Sequence, residues 1–157
     1  MALAEPAKPA SPVVFEGVCP ILRVKNVAES LRYYVQILGF KNDWHVPEGE
    51  SPFFASVSRD RCHIFLSQDD QGNPGSWVWI GVADVDALLI EYQATGAKIR
   101  HPPANYSWAC EMQVEDLDGN VLRLGSEPKE NEPIGEWLDM DGKRWLPQDG
   151  GGWKLAE

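Results

Sequence analysis

A strand that turns into a helix occurs twice in this chain, and that repeat constrains the fold more than any other feature. From Trp77 the segment Trp-Val-Trp-Ile-Gly-Val alternates, with Val78, Ile80 and Val82 on one side and Trp77, Trp79 and Gly81 on the other. The period then changes. Asp84 is placed to cap a helix, Val85, Leu88, Leu89 and Tyr92 form its apolar stripe, and Gly96 ends it. The stretch from Cys19 to Phe40 repeats the design. A short strand is followed by Asn26 as a cap with Glu29 three residues on, a stripe of Val27, Leu31, Tyr34, Val35 and Leu38, and then Gly39. Superposed, Leu22 falls on Ile80, Val24 on Val82, Val27 on Val85, Ile64 on Leu122, Phe65 on Arg123 and Leu66 on Leu124. The pattern is that of one module in tandem.

Read in order, the chain predicts a first strand over 18–24, with Pro20 suited only to a strand's start or edge. A helix over 27–38 follows, then strands at 40–46, 53–58 and 62–67, with a loop at 47–52 and a turn at 59–60. The segment 68–75, Gln-Asp-Asp-Gln-Gly-Asn-Pro-Gly, is the strongest breaker and separates the modules. After the second helix come a short strand at 98–100, a loop at 101–105, a strand at 108–115, a turn at 116–119 and a last strand at 120–125. The order βαβββ thus appears twice. The expected class is α+β: two modules, 18–70 and 76–126, forming a curved mixed sheet with a concave, ligand-facing side. This domain, 16–126, is flanked by a flexible arm, 1–15, and a tryptophan-containing extension, 127–157. In the extension, residues 136–145 read as a hairpin about an Asp-Gly turn, and Trp137, Trp145 and Trp153 recur at even steps, which predicts packing onto the body.

Alternation sorts the strand residues into two faces. The face that must cover the helices collects Leu22, Val24, Ile64, Leu66, Val78, Ile80, Val82, Met112, Val114, Leu122 and Leu124, all apolar. The other collects Ile21, Arg23, His63, Phe65, Trp77, Trp79, Glu111, Gln113 and Arg123. That second set is too polar for the inside of a sandwich and too aromatic for a wetted surface, which points to a ligand-facing cup. A net charge of -10 argues against nucleic acid as a partner. No segment is long and apolar enough to span a membrane, and no signal peptide is legible. Three cysteines, an odd number without tight spacing, suggest neither a disulfide framework nor a zinc site and fit a reducing, cytoplasmic setting.

Three features together carry a resemblance. They are the paired βαβββ modules, the Arg-Val-x-x-Val-x-x-Ser-x-x-Tyr-Tyr-x-x-x-Leu-Gly-Phe run at residues 23–40, and the Glu-Asp-x-Asp-Gly-Asn turn at residues 115–120. The chain resembles the vicinal oxygen chelate superfamily, which holds glyoxalase I, extradiol dioxygenases, fosfomycin resistance enzymes and bleomycin resistance proteins. Pro20-Ile-Leu, His63-Ile-Phe-Leu-Ser67, Trp77-Val-Trp79 leading into Val85-Asp-Ala-Leu, and Trp108 followed by Glu111 look most like the bleomycin resistance proteins. The likeness covers about residues 18–126.

The superfamily's enzymes hold a divalent metal on inward residues of the first and fourth strand of each module. Carried over, those positions are Cys19, Phe65, Trp77 and Arg123. Only Cys19 can ligate, and a lone thiolate suits a hard ion poorly. The three histidines, His45, His63 and His101, lie in different segments, and only His63 is expected to face the cup. The resemblance therefore implies no metal, no cofactor and no catalytic residue. It implies binding of a small molecule, such as a bleomycin-type glycopeptide, in a groove of an arm-exchanged homodimer. The expected ligand-binding residues are Trp44 (or its neighbour His45), Phe53, Phe54, Phe65, Trp77, Trp79, Trp108, Glu111 and Arg123. Aromatic faces with Glu111 beside them suit a flat cation. Arg23 and Arg123 oppose one unless acids pair with them, and otherwise suit a carboxylate-bearing ligand. Two other readings stand beside sequestration: a metal-dependent glyoxalase-like lyase or dioxygenase, and a ligand-sensing or interaction domain whose cup its own tail fills.

Overall fold

A computed structural model describes residues 2–4 and 12–157. Of the expected arm, residues 1 and 5–11 lie outside the described residues. The order of elements is β1 (Ile21–Val24), α1 (Val27–Arg32), a π-helical turn (Tyr33–Ile37), β2 (Lys41–Val46), β3 (Phe54–Arg59) and β4 (Cys62–Gln68), then β5 (Trp77–Gly81), α2 (Val85–Thr95), β6 (Lys98–Asn105), β7 (Cys110–Glu115) and β8 (Val121–Ser126). The βαβββ module is present twice. Each copy is a four-stranded mixed sheet, ordered β1-β4-β3-β2 and β5-β8-β7-β6. The repeat extends to register: β1 runs parallel to β4 with Leu22 opposite Leu66, and β5 parallel to β8 with Ile80 opposite Leu124.

Local chemistry explains most boundaries. Asn26 and Asp84 accept from the backbone N–H groups of Glu29 and Ala87, capping the two helices. Gly96 ends α2 in the left-handed region at φ 84°, where a side chain would be strained. Several expectations are corrected. β1 begins at Ile21 rather than 18, since Pro20 has no N–H to give the ladder. The first helix is not uniform over 27–38. It widens at Tyr33, where Leu38 N–H bonds to Tyr33 O, and both tyrosines there reach the other module. Residues 101–105 are not a loop but the continuation of β6. That strand lies at the sheet edge and shifts register twice, which accommodates Pro102 and Pro103. β7 begins at Cys110 rather than 108.

The helix-covering faces of both sheets bury into one shared core. It contains Leu22, Val24, Ile64, Leu66, Ile80, Met112, Val114, Leu122 and Leu124 from the strands, with Val27, Leu31, Tyr34, Val85, Leu88 and Tyr92 from the helical segments. The opposite face of each sheet is left outside that core. A turn at 116–120 ties the modules together. Asp116, 3% exposed, accepts from the backbone N–H groups of Asp118 and Asn120 on one oxygen. Its other oxygen accepts from Asn120 Nδ2 at 2.8 Å and from the Tyr34 hydroxyl of the first module at 3.0 Å. Asn120 Nδ2 also donates to Arg23 O, Lys25 N–H to Asp118, and the Tyr33 hydroxyl to Glu115 O. On the other side, Arg59 makes a two-armed ion pair with Glu91 at 2.8 and 2.9 Å, and the Tyr92 hydroxyl donates to Leu38 O.

Asp116→Ala should destabilise the fold by about 3 kcal/mol, because it leaves several buried donors unmet. Tyr34→Phe should cost only about 1 kcal/mol, since three donors to the carboxylate remain. Urea unfolding followed by circular dichroism measures both. Equal losses would show that the turn does not hold the modules.

Candidate functional site

The outer face of each sheet carries its own cluster. In the first module a bulge between Asn42 and Trp44 changes the alternation of β2, and Asp43 and Trp44 line one cavity together. Trp44, Phe54 and Phe65 pack ring to ring, with centroids 5.9, 5.6 and 5.4 Å apart. Trp44 remains 46% exposed. Trp44 and Phe65 border an open cavity of about 460 Å³, completed by Cys19, Ser56, His63 and, from the segment before β1, Glu16, Gly17 and Val18. Asp43 accepts from the Ser58 and Ser56 hydroxyls, and the Ser58 bond is the main reason its carboxyl sits below the usual carboxylate range. It is therefore an anion at neutral pH, with His63 at 3.6 Å and Lys41 at 3.5 Å. Phe53, 56% exposed, stands just before β3.

In the second module Glu111 is the organising group. It is 1% exposed and accepts from three donors: Arg123 at 2.7 Å, the Trp79 indole at 2.9 Å and the Trp108 indole at 3.0 Å. A buried carboxylate needs such partners, and here they fix two tryptophans and an arginine at once. The pairing also settles the charge question that the residues raised. Arg123 is neutralised by Glu111, and Arg23 lies 3.6 Å from Asp69. Neither arginine is an unopposed cation.

The extension then closes over this face. Residues 137–155 form a three-stranded antiparallel sheet of β9 (Trp137–Leu138), β10 (Arg144–Pro147) and β11 (Trp153–Leu155). The expected hairpin about Asp141-Gly142 is present, and β11 was not anticipated. Gly135 lets the chain cross β6, since a Cβ there would lie 2.8 Å from Ala104 Cβ. Trp137 sits among Trp77, Tyr106 and Trp108 at 6.2, 5.7 and 6.2 Å, with the Arg123 guanidinium 4.9 Å over its ring. The polar groups of the face bond to the extension. Tyr106 donates to Glu136 O, Gln113 to Leu138 O, Arg100 to Asp139 O, and His101 faces the Glu136 carboxylate at 3.0 Å.

The nine expected ligand residues thus divide between the two modules. Trp44, Phe53, Phe54 and Phe65 belong to the first, and Trp77, Trp79, Trp108, Glu111 and Arg123 to the second. Sequence reasoning missed Asp43, because a bulge leaves no trace in composition. It missed Tyr106, between the expected loop at 101–105 and the strand at 108–115, and Arg100, at the end of a short strand. The even spacing of Trp137, Trp145 and Trp153 was the available signal for the extension. At the four positions that the resemblance assigns to a metal, Cys19 has its thiol pushed up by burial, Phe65 is part of the aromatic trio, Trp77 packs on Trp137 and Arg123 is ion-paired. These groups do not fit a divalent ion. Among the described residues no three His, Cys, Asp or Glu side chains gather to hold one.

The model of the family described as "Glyoxalase superfamily protein" matches residues 5–132. No curated protein sequence matches the chain. Solved structures with the same fold include TioX from Micromonospora sp. ML1, 18% identical with a TM-score of 0.66 over 72% of this chain and 99% of that one. The bleomycin-binding protein of Streptomyces verticillus, solved with copper(II)-bleomycin, is 26% identical with a TM-score of 0.62 over 73% and 98%. TnmS3, an antibiotic binding protein from Streptomyces sp. CB03234, is 20% identical with a TM-score of 0.63 over 74% and 99%.

Glu111→Gln keeps an acceptor but leaves Arg123 without its counter-charge. It should destabilise the protein by about 2 kcal/mol, less than a fully buried pair because Arg123 is partly exposed. It should also shift tryptophan emission, since two indoles bond to this group. An unchanged melting curve and spectrum would show that Glu111 does not organise the face.

Proposed function

The chain belongs to the glyoxalase superfamily, and from that premise we propose that it is a small-molecule binding protein of the bleomycin resistance type, acting by sequestration rather than by chemistry. The observation that carries this reading is the first module's open cavity, walled by Trp44 and Phe65 with ionised Asp43 on its rim. Flat π faces beside a carboxylate, on a chain of net charge -10, favour an aromatic cation and aid its approach. A bleomycin-type glycopeptide, with a stacking bithiazole and a positive tail, has that chemistry. The likeness to the bleomycin-binding protein of Streptomyces verticillus supports the same class of ligand. A metal-dependent lyase or dioxygenase draws no support from a thiol, a phenyl, an indole and a paired guanidinium at the metal positions.

Sequestration in this reading takes place in a groove between two copies, in the reducing cytoplasm where three free cysteines persist. The arm supports a dimer. Val13, Val14 and Phe15 of the arm, with Val18 just after it, are all exposed, an apolar strip that nothing among the described residues covers. Each arm laid on a second copy would bury it, beside the cavity that Glu16, Gly17 and Val18 already border.

Titration with metal-free bleomycin, read by tryptophan fluorescence, tests the proposal. The wild type should saturate at stoichiometric ligand, and Trp44→Ala should weaken binding at least about tenfold with the fold intact. Val14→Asp with Phe15→Asp should leave a monomer in sedimentation and weaken binding likewise. No response at high micromolar ligand would overturn this assignment.

A further inference from the structure

The extension does more than cover the second module. Between it and the sheet lies a cavity of about 590 Å³, lined by Trp108, Arg123, Trp137, Asp139, Trp145 and Trp153. Three of its four tryptophans come from the extension, beyond the residues that the family model matches. The cavity is separate from the first module's, with no residue in common.

Two features make this a built pocket rather than a seam. Its walls are held rigidly. Asn105 donates to Lys129 O and Glu132 O and accepts from Lys129 N–H, Gly135 N–H bonds to Asn105 O, and β9 is then fastened by Tyr106, Gln113 and Arg100. So many direct bonds describe a fixed wall, not a lid ready to leave. The tryptophans are also held at fixed angles with faces still open. Trp108 stacks flat on Tyr106 at 4.8 Å, its N–H engaged by Glu111, while Trp153 is 37% exposed at the rim. Trp145 donates its N–H to Asp139 at 2.8 Å.

The charges of the pocket point one way. Arg123 is cancelled by Glu111, and Glu136 is paired with Arg144 and His101. Asp139 alone among the lining charges has no ion-pair partner among the described residues. The Trp145 indole above all, with the Lys143 and Asp141 backbone N–H groups, holds its carboxyl below the usual range, so it is ionised at neutral pH.

We propose that the extension makes the second module a separate binding site, a tryptophan-lined pocket that takes a flat aromatic cation. The ligand stacks on Trp108 and Trp153, and its positive charge faces Asp139. A planar anion meets the same rings without a counter-charge and binds more weakly.

Calorimetric titration of the full chain with 9-aminoacridine, a planar cation, and with anthracene-9-carboxylate, a planar anion, tests this. The wild type should bind the cation more tightly than the anion. Trp153→Ala, at an exposed edge strand, should weaken the cation about tenfold, and Trp153→Phe should restore most of it. Asp139→Asn keeps the oxygen that accepts from the Asp141 and Lys143 N–H groups, gives up the one that accepts from Trp145, and should remove the preference for the cation. Trp44→Ala should remove only the 9-aminoacridine bound in the first module's cavity and leave the component that Trp153→Ala weakens. If Trp44→Ala abolishes that binding while Trp153→Ala and Asp139→Asn do not alter it, the pocket is overturned and the first-module reading stands. Binding of 9-aminoacridine that survives Trp44→Ala, in a protein that ignores bleomycin, would separate them the other way. No binding of either probe to the wild type overturns the pocket outright.

Discussion

One buried carboxylate holds the architecture together. Asp116 receives four hydrogen bonds, one of them from the Tyr34 hydroxyl of the other module. Burial pushes Asp116 up and its donors pull it down, while the same burial and the nearby carboxylate push Tyr34 well above the usual tyrosine range. A phenol that keeps its proton and a carboxylate that needs donors suit each other in a dry place. The turn around them also receives Lys25 N–H and reaches Arg23 O, so the first strand–helix corner and the last hairpin meet at one point. Because the modules join through their helical sides, the remaining face of each sheet is left outside the core, and there the aromatic residues collect.

Those two faces solve one problem differently. Each places tryptophan and other rings around a carboxylate that stays ionised. In the first module Asp43 is held by serine hydroxyls beside an open cavity. In the second the sheet's own carboxylate, Glu111, is consumed by an arginine and two indoles, and Asp139 of the extension takes its place at the pocket. The repeated module supplies the frame in both cases, and its two outer faces carry different chemistry.

Much of the frame was legible in the sequence because it rests on short-range rules. Period-two alternation, the caps Asn26 and Asp84 and the stop at Gly96 are local, and the offset between copies even matched the register of Leu22 with Leu66 and Ile80 with Leu124. What escaped depends on partners distant in the chain. Pro102 and Pro103 read as a loop because only the sheet reveals that β6 is an edge. The widened turn at Tyr33 answers to residues 115 and 116. The site was legible as a residue list and not as an arrangement. Glu111 read as bait for a cation and Arg123 as an obstacle, whereas they are a single ion pair. The extension's tryptophans stood out by number, but their destination required the fold.

The most direct measurement follows the seven indole N–H resonances in a proton–nitrogen correlation spectrum as metal-free bleomycin is added. The account predicts that the Trp44 resonance moves and saturates, with the amides of Asp118 and Asn120 unmoved because the clasp between the modules is not part of the binding surface. Seven stationary indole resonances, or movement of the clasp amides with every other signal, would contradict it.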